Sequence, residues 1–579
     1  MSADIDRQFG NAFVSRCFFV KFSCVLFAIF CFASATPFAE NGNLSPSSQL
    51  ALTVQQKAAL FDRLVVEIER LDGDGLIFRD TRPESWGDTV TRLRKEASSA
   101  TTSIDYGQVF HRLRGTYPNF HAGVSIADAY RAPWIQGDRW LPVVIRADVV
   151  KPGVTRPTLR VAWVDEAWAN SQVANDGKPQ LGDVVVAING RPASEWLREN
   201  EIFCKQPLAE QCPMEFHRNL ARGLLFWRPD SPLAVDAVRQ GEKGEPVRFT
   251  IAPEVVATLS PAVVASTTPK FCDAAAPRPP EGFRLVWAGS MVCVFEHPKL
   301  IGTQIWRIPS FASEQSRTRD AKPGQHKTVR QETAHFYEEF WKKNAPSVKL
   351  LVIDIAGNGG GESVLAWYQL LFSKPYQSSF VRFKKVREFD NLTVRNSLFW
   401  KSNTFADFIN ILKRDGSFSK IVEGQWLPPF PMFCPNDDAT CLTEKHEPLT
   451  SGFTGRVSLI VDPLCISACV EFARNVKEQL DARIVGLPDS ADTTFSRLQI
   501  HFGFDAEGQP IAAVADVTKV VSRVGTFTIA ATLSTNANGV VHSGQPLTAD
   551  RVVERRWNQN GDQWAREAIS VALEPLSAR

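Results

Sequence analysis

The stretch Gly455–Gly486, GRVSLIVDPLCISACVEFARNVKEQLDARIVG, decides how the rest of the chain is read. Arg456 to Asp462 is a short apolar run of Val, Leu and Ile, the pattern of a buried strand. Ala468 to Leu480 then carries Val470, Phe472, Ala473, Val476 and Leu480 at helical spacing. Ser467 falls between the two. Two readings of it are open. It is a plain helix N-cap, or it is a nucleophile held out of a tight strand-to-helix turn. The second arrangement puts the attacking oxygen and the free N–H groups of a helix start within about 3 Å of one carbonyl.

A second unit of the same build lies upstream, LLVIDIAGNGGGESVLAWYQLLF. Leu350 to Ile355 predicts a buried strand, and Ser363 to Leu371 a helix. The turn between them is Gly357-Asn358-Gly359-Gly360-Gly361. Glycines at that place let backbone N–H groups approach a ligand. A phosphate loop is excluded, because no Lys-Ser/Thr pair follows the glycines. An oxyanion-binding turn fits, with Gly359 or Gly360 and Ala468 as backbone donors. Asp354 reads as a strand end that holds this turn, and Glu471 as a helix-face residue.

At 579 residues the chain has room for two to four domains. Its 65 basic and 63 acidic residues give a net charge of +2 with no basic block, which argues against nucleic acid. Arg16 and Lys21 precede the apolar run Phe22 to Phe32, and Ala33-Ser34-Ala35 follows. That pattern predicts a secretory signal over 1–35, with an uncleaved anchor as the alternative. Beyond it stand eight cysteines, which fall into four pairs of neighbours: 204–212, 272–293, 434–441 and 465–469. In an exported chain they predict disulfides. A metal site is disfavoured by spacings that do not match CxxC and by the lack of clustered histidines. No cofactor is expected.

Residues 36–135 read as a helical region. Leu60, Phe61, Leu64, Val65, Ile68 and Leu71 form one stripe of its first helix, with Thr53 as its cap. The region ends in NFHAGV, where His121 is open to a structural or a catalytic role. Residues 136–258 are β-rich. LGDVVVAING, Leu181 to Gly190, has the Gly-Asp start, apolar run and Asn-Gly turn of a PDZ domain, and the segment resembles that family. Residues 259–281 are rich in Pro, Ala, Ser and Thr and read as a linker. Residues 282–579 form an αβ domain with a loop-like insertion over about 395–450.

In this order the pieces resemble the tail-specific, C-terminal-processing family of serine peptidases. DIAGNGGG is similar to the family's DLRGNPGG, with Asp354, Gly357, Asn358, Gly360 and Gly361 at matching places. Ala356 replaces the usual Arg, and Gly359 the usual Pro. SACVEFA with the later IVG is similar to SASEIFA…VVG, with the glutamate one residue later, at Glu471. NFHAGV is similar to the DGHTGF of tricorn-like members. The resemblance implies an α/β multidomain protein with a core of the ClpP/crotonase-like type. It also implies an exported endopeptidase with Ser467 as nucleophile. The place of the processing peptidases' lysine is Asp492, and no lysine stands between Lys477 and Lys519. The tricorn-like pattern, with His121 as general base, is therefore the one implied. The place of that branch's orienting glutamate is near His542-Ser543, and neither is acidic; Asp550 matches a different family position. His501 and His542 are rival bases. Protein or peptide substrates are the expected partners, and membrane association only through an uncleaved signal. The alternative is a catalytically weak or inactive peptidase fold that binds peptides.

Overall fold

The structure is a computed structural model. It describes residues 50–575 except 74–84, 118, 120, 132–141, 152–153, 155–156, 172–176, 201–232, 240–245, 252–277, 314–326, 363, 388–402, 433–444, 488–496, 515–516 and 537. The predicted signal, Cys204, Cys212, Cys272, Cys434, Cys441, Asp492, most of the linker and part of the 395–450 insertion lie outside the described residues.

Three helices open the chain: α1 (Val54–Leu71), α2 (Trp86–Ser99) and α3 (Ser103–Thr116). Thr53 and Gln56 close a capping box at the start of α1, which satisfies two of the helix's free N–H groups reciprocally. The stripe read from the sequence is buried, with Leu60, Phe61, Leu64 and Ile68 at 0 % exposure. The surface that covers it comes from the far end of the chain. Strand β1 (Gly123–Ile126) is an edge of a four-stranded antiparallel sheet in the order β1-β19-β17-β18. Its other strands are β17 (Arg497–Phe504), β18 (Pro510–Ala513) and β19 (Ser522–Ala530). Ile500, Phe502 and Phe527 from this sheet share one core with α1 and α3.

A six-stranded antiparallel sheet follows, from β2 (Val143–Ala147), β4 (Leu159–Val164), β5 (Val184–Ile188), β6 (Arg191–Pro192), β7 (Leu233–Val238) and β8 (Val247–Ile251). Asn189 and Gly190 both take positive φ, 52° and 72°, as a two-residue hairpin turn between β5 and β6 requires. The short β3 (Val149–Val150) pairs with β22 (Arg555–Arg556) and ties this unit to the C-terminal one.

The C-terminal unit is a seven-stranded sheet in the order β21-β16-β15-β12-β11-β10-β9. Its parallel centre is β11 (Thr303–Arg307), β12 (Leu350–Asp354), β15 (Arg456–Val461) and β16 (Arg483–Gly486). The antiparallel edge is β9 (Arg284–Ala288) and β10 (Cys293–Glu296); β21 (Arg551–Val552) closes the other side. Parallel strands are covered on both faces, which is why β12 and β15 read as unbroken apolar runs. Leu351 and Ile353 face one core. Val352 faces another, built on Trp564 of the last helix, Gly561–Leu573. A smaller sheet, β14-β13-β20, joins β13 (Phe380–Phe383) to β14 (Phe430–Pro431) and β20 (Thr532–Thr535). Among the described residues no helix is long and apolar enough to cross a membrane.

Candidate active site

Ser467 stands at the carboxyl edge of the parallel strands, between β15 and the helix Ala468–Leu480. Its backbone sits at φ 59°, ψ −128°. A non-glycine residue held there costs on the order of 1–3 kcal/mol and persists only where its surroundings impose it. The carbonyl of Ser467 opens the helix, accepting from Val470 N at 3.0 Å and Glu471 N at 3.2 Å. Its side chain does not cap the helix, and among the described residues Oγ makes no hydrogen bond. The plain N-cap reading of this serine is therefore overturned. The strained φ turns the hydroxyl away from the N–H groups that a cap would satisfy. Half-buried and unbonded, Oγ is available to a substrate.

The glycine turn lies directly against it. A Cβ added to Gly360 would stand 2.7 Å from Ile466 O and 2.9 Å from Ser467 Cβ, and Gly360 has φ +86°. Only glycine combines that backbone with that approach. Asn358, fully buried, pins the turn: its Nδ2 donates to Ile308 O at 3.1 Å and its Oδ1 accepts from Gly360 N at 2.9 Å. The Gly360 N–H is thus engaged. Gly359 is exposed, with open space beyond its Cα. Among the described residues neither the Gly359 nor the Ala468 N–H meets an acceptor. The Ala468 N atom is 3.1 Å from the position of that added Gly360 Cβ, so the serine turn and the glycine turn face each other.

Two buried aspartates hold these turns. Asp354 ends β12. Its Oδ1 accepts from Ala356 N at 3.0 Å and from the Arg307 guanidinium at 3.1 Å, with both side chains at 0 % exposure. Burial pushes the Asp354 carboxyl up, opposed chiefly by the charge of Arg307. Asp462, one residue past β15, was not singled out from the sequence. Its Oδ1 accepts from Gly357 N at 2.8 Å and Leu464 N at 3.0 Å, so one carboxylate joins both turns. Arg555 lies 3.9 Å from its other oxygen. The available signal was positional: a second aspartate ends the strand next to the one that ends in Asp354. Cys465 and Cys469 are disulfide-bonded across the serine, with Cα atoms 5.0 Å apart. Cys293 is also disulfide-bonded.

Glu471, one turn into the helix, is 1 % exposed rather than on an open face. Its Oε1 accepts from Ser379 N at 3.3 Å, while Oε2 has no partner among the described residues. Burial pushes its carboxyl up to about 7, with the Ser379 hydrogen bonds opposing.

His121 lies two residues before β1, half-buried, with its N–H donating to Asn119 Oδ1 at 2.7 Å. Arg114 shapes the same turn through the carbonyls of Asn119 and Ala122. Gly123 pairs with Thr528, so His121 approaches the end of β19, from which the chain runs into β20 and so to β13. Ser379, just before β13, bonds to Glu471 and to Asn475 on the serine's helix. Contacts between named elements thus lead from the histidine's sheet to the serine's helix, but no hydrogen bond joins His121 to Ser467 Oγ. Neither rival is hydrogen-bonded to Ser467 Oγ. His501 Nδ1 is 3.2 Å from Thr526 Oγ1, and burial lowers its pKa. Burial, then the charge of Arg474, lowers His542 to about 4. Ser543 Oγ accepts from Ser534 N at 2.9 Å. Asp550 accepts from Ile484 N at 2.8 Å and pairs with Lys477 at 3.2 Å, a structural engagement.

No family profile and no curated protein matches the chain. Solved structures do. Mature CPAF complexed with lactacystin superposes with a TM-score of 0.56 at 15 % identity, covering 90 % of this chain and 97 % of that one. Mature CPAF by itself gives 0.54 at 14 % identity, covering 90 % and 96 %. The photosystem II D1 C-terminal processing protease is a looser likeness, with a TM-score of 0.33 at 12 % identity over 86 % of this chain and 92 % of that one. From the N-terminal helices to the C-terminal sheet, the chain has the mixed α/β fold of mature CPAF.

Proposed function

We propose that the protein is an exported serine endopeptidase that hydrolyses peptide bonds of protein substrates. The observation that carries the reading is the strained, uncapped Ser467 packed against Gly360. Oγ attacks the scissile carbonyl, and the oxyanion is received by the N–H groups of Gly359 and Ala468. Gly360 gives the room that the approach needs. His121 takes the serine proton and returns it to the leaving amine, so that the amine departs neutral and Ser467 is left acylated. Water then attacks the ester, with His121 as base again. Since no base hydrogen-bonds to Oγ among the described residues, the mechanism requires His121 to close on the serine when substrate binds. Catalytic hydrogen bonds are often long before that step. The β-rich unit over 136–258, PDZ-like by its LGDVVVAING segment, presents peptide ends by strand addition. The disulfide at Cys465–Cys469 supports an oxidising compartment.

A fluorophosphonate probe tests the reading. Labelling of the intact protein is expected, lost in Ser467→Ala and strongly slowed in His121→Ala. A well-folded protein that takes no label at Ser467 excludes the mechanism. The second reading, a peptide-binding scaffold, is favoured by the missing contact between base and serine. It predicts peptide binding without labelling.

A further inference from the structure

Thr53, Ser85, Thr102, Thr328 and Asn560 each stand before a helix at a φ between −63° and −113°, with the side chain accepting from the backbone N–H three residues on. That is the ordinary N-cap, and it satisfies one of the helix's free donors. Ser467 holds the same place before Ala468–Leu480, but at φ 59° and without that bond. The residue type does not account for the difference, since Ser85 caps its helix normally. What differs is covalent. Cys465 and Cys469 are bonded to each other from two residues on either side of Ser467, with Cα atoms 5.0 Å apart.

Both ends of this short ring are anchored. Cys465 N donates to Asp462 O at 3.0 Å, and Leu464 N donates to Asp462 Oδ1 at 3.0 Å, so the first cysteine is fixed to the end of β15. Cys469 N donates to Ile466 O at 3.1 Å, and Cys469 Sγ lies 4.0 Å from Ile355 O, at the entrance to the glycine turn. Both cysteines are buried in the core that also holds Phe472 and Val476. Four residue steps span about 13–14 Å when extended. The bridge holds them to 5.0 Å. An extended residue at position 467, the ordinary cap, lengthens that span, whereas a positive φ folds the chain back. Stability of the whole chain is a poor account of this bridge. The disorder that a crosslink removes from the unfolded chain grows with the loop it closes, and here the sequence separation is 4.

We infer that the Cys465–Cys469 bridge is a positioning element of the nucleophile. It holds Ser467 in the strained, uncapped backbone, and Gly360 leaves the room for that turn. Without the bridge the serine relaxes into an ordinary cap, with Oγ accepting from Val470 N, and is withdrawn from substrate. The loss of reactivity rests on the peptidase reading, while the change of conformation does not. Cys465, Ser467 and Cys469 lie on one tryptic peptide, Val457–Arg474, so bridge and label are read on the same fragment by mass spectrometry. Intact wild-type protein is exposed to graded dithiothreitol, which converts the bridge to two thiols and itself becomes a cyclic disulfide. Fluorophosphonate and then iodoacetamide follow. Peptides that keep the bridge are expected to label at least tenfold faster than peptides with both thiols alkylated. Cys465→Val with Cys469→Ala removes the bridge at little change in volume and leaves the Cys293 disulfide in place. Its kinact should fall at least tenfold with KI unchanged, and its melting temperature by only a few degrees. A bridge that serves stability alone would lower the melting temperature and leave kinact as it was. A crystal structure of the double variant should place Ser467 at negative φ, with Oγ in hydrogen-bond reach of Val470 N. If the variant does not fold, the wild-type peptides decide. Equal labelling of bridged and alkylated peptides, or a kinact within twofold of wild type in the double variant, overturns the role of the bridge. If no form takes label, the peptidase reading fails and the crystal structure decides by itself: a capping Ser467 supports the bridge as the constraint, and a Ser467 still at positive φ overturns it.

Discussion

Gly360 and Ser467 are a matched pair of special backbones. Neither conformation is explained without the other. A methyl group at Gly360 would meet Ile466 O at 2.7 Å, and its φ of +86° would strain any other residue. Gly360→Ala is expected to lower the rate of fluorophosphonate labelling by about 10²-fold, comparable with loss of an oxyanion donor. The far-ultraviolet circular dichroism should stay native, because the turn can give way locally. Glu471 has a different signature. Its folded pKa, about 7, lies above the ordinary 4.5. Between those values the unfolded chain releases a proton that the folded chain keeps. This group's contribution to stability is therefore full below about pH 4.5 and lost as pH rises through about 7. The groups around it are Tyr368, with a hydroxyl raised by burial, Ser379, Asn475, and Arg474 and Glu478 on its own helix. Denaturant melts of wild type and Glu471→Gln at pH 4.5, 6 and 7.5 should show the variant gaining relative stability as pH rises. A constant difference would mean that the carboxyl does not titrate in this window.

At the scale of elements, the two strand-to-turn units are held by aspartates at strand ends. The Arg307–Asp354 pair is wholly buried between β11 and β12. Arg307→Met leaves a carboxylate without its cation and is expected to cost about 3–5 kcal/mol in urea unfolding. Arg307→Met with Asp354→Leu should recover much of that loss, since replacing both partners of a buried pair by apolar residues is often neutral. Asp462 does something else: one oxygen accepts from both the glycine turn and the serine turn. Asp462→Ala frees the two turns from each other. Labelling of Ser467 should fall by more than tenfold, a larger change than its loss of stability alone would bring.

Over the whole molecule, the ends of the chain are interleaved. Helices α1 to α3 cover a sheet whose edge strand is β1 and whose other three strands come from residues 497–530. β22 pairs back to β3. Deleting residues 1–131 would expose Ile500, Phe502 and Phe527, all at 0 % exposure. The truncated protein is expected to aggregate or to lose its cooperative melt, not merely to lose His121. A soluble truncation with a sharp thermal transition would show that the C-terminal units fold alone.

The elements near the site were legible because they obey local rules. Apolar runs gave β12 and β15, 3.6-residue spacing gave α1 and the serine's helix, and Asn189-Gly190 gave its hairpin. The glycine turn was legible because only glycine tolerates its backbone and the close approach of Ser467. Three things needed the tertiary structure. That Ser467 is not a cap depends on a φ imposed by packing across the turn. Asp462 gains its role from a turn about a hundred residues away in sequence; its place at a strand end was visible, but the partner it holds was not. Glu471 has a hydrophilic side chain in a helix, and only the distant segment at Ser379, together with Tyr368, shows that it is buried. The sequence by itself determined the two turns and the residues within them. The tertiary structure decided which polar groups join those turns, because hydrogen bonds between distant strands are set by register and burial rather than by spacing along the chain.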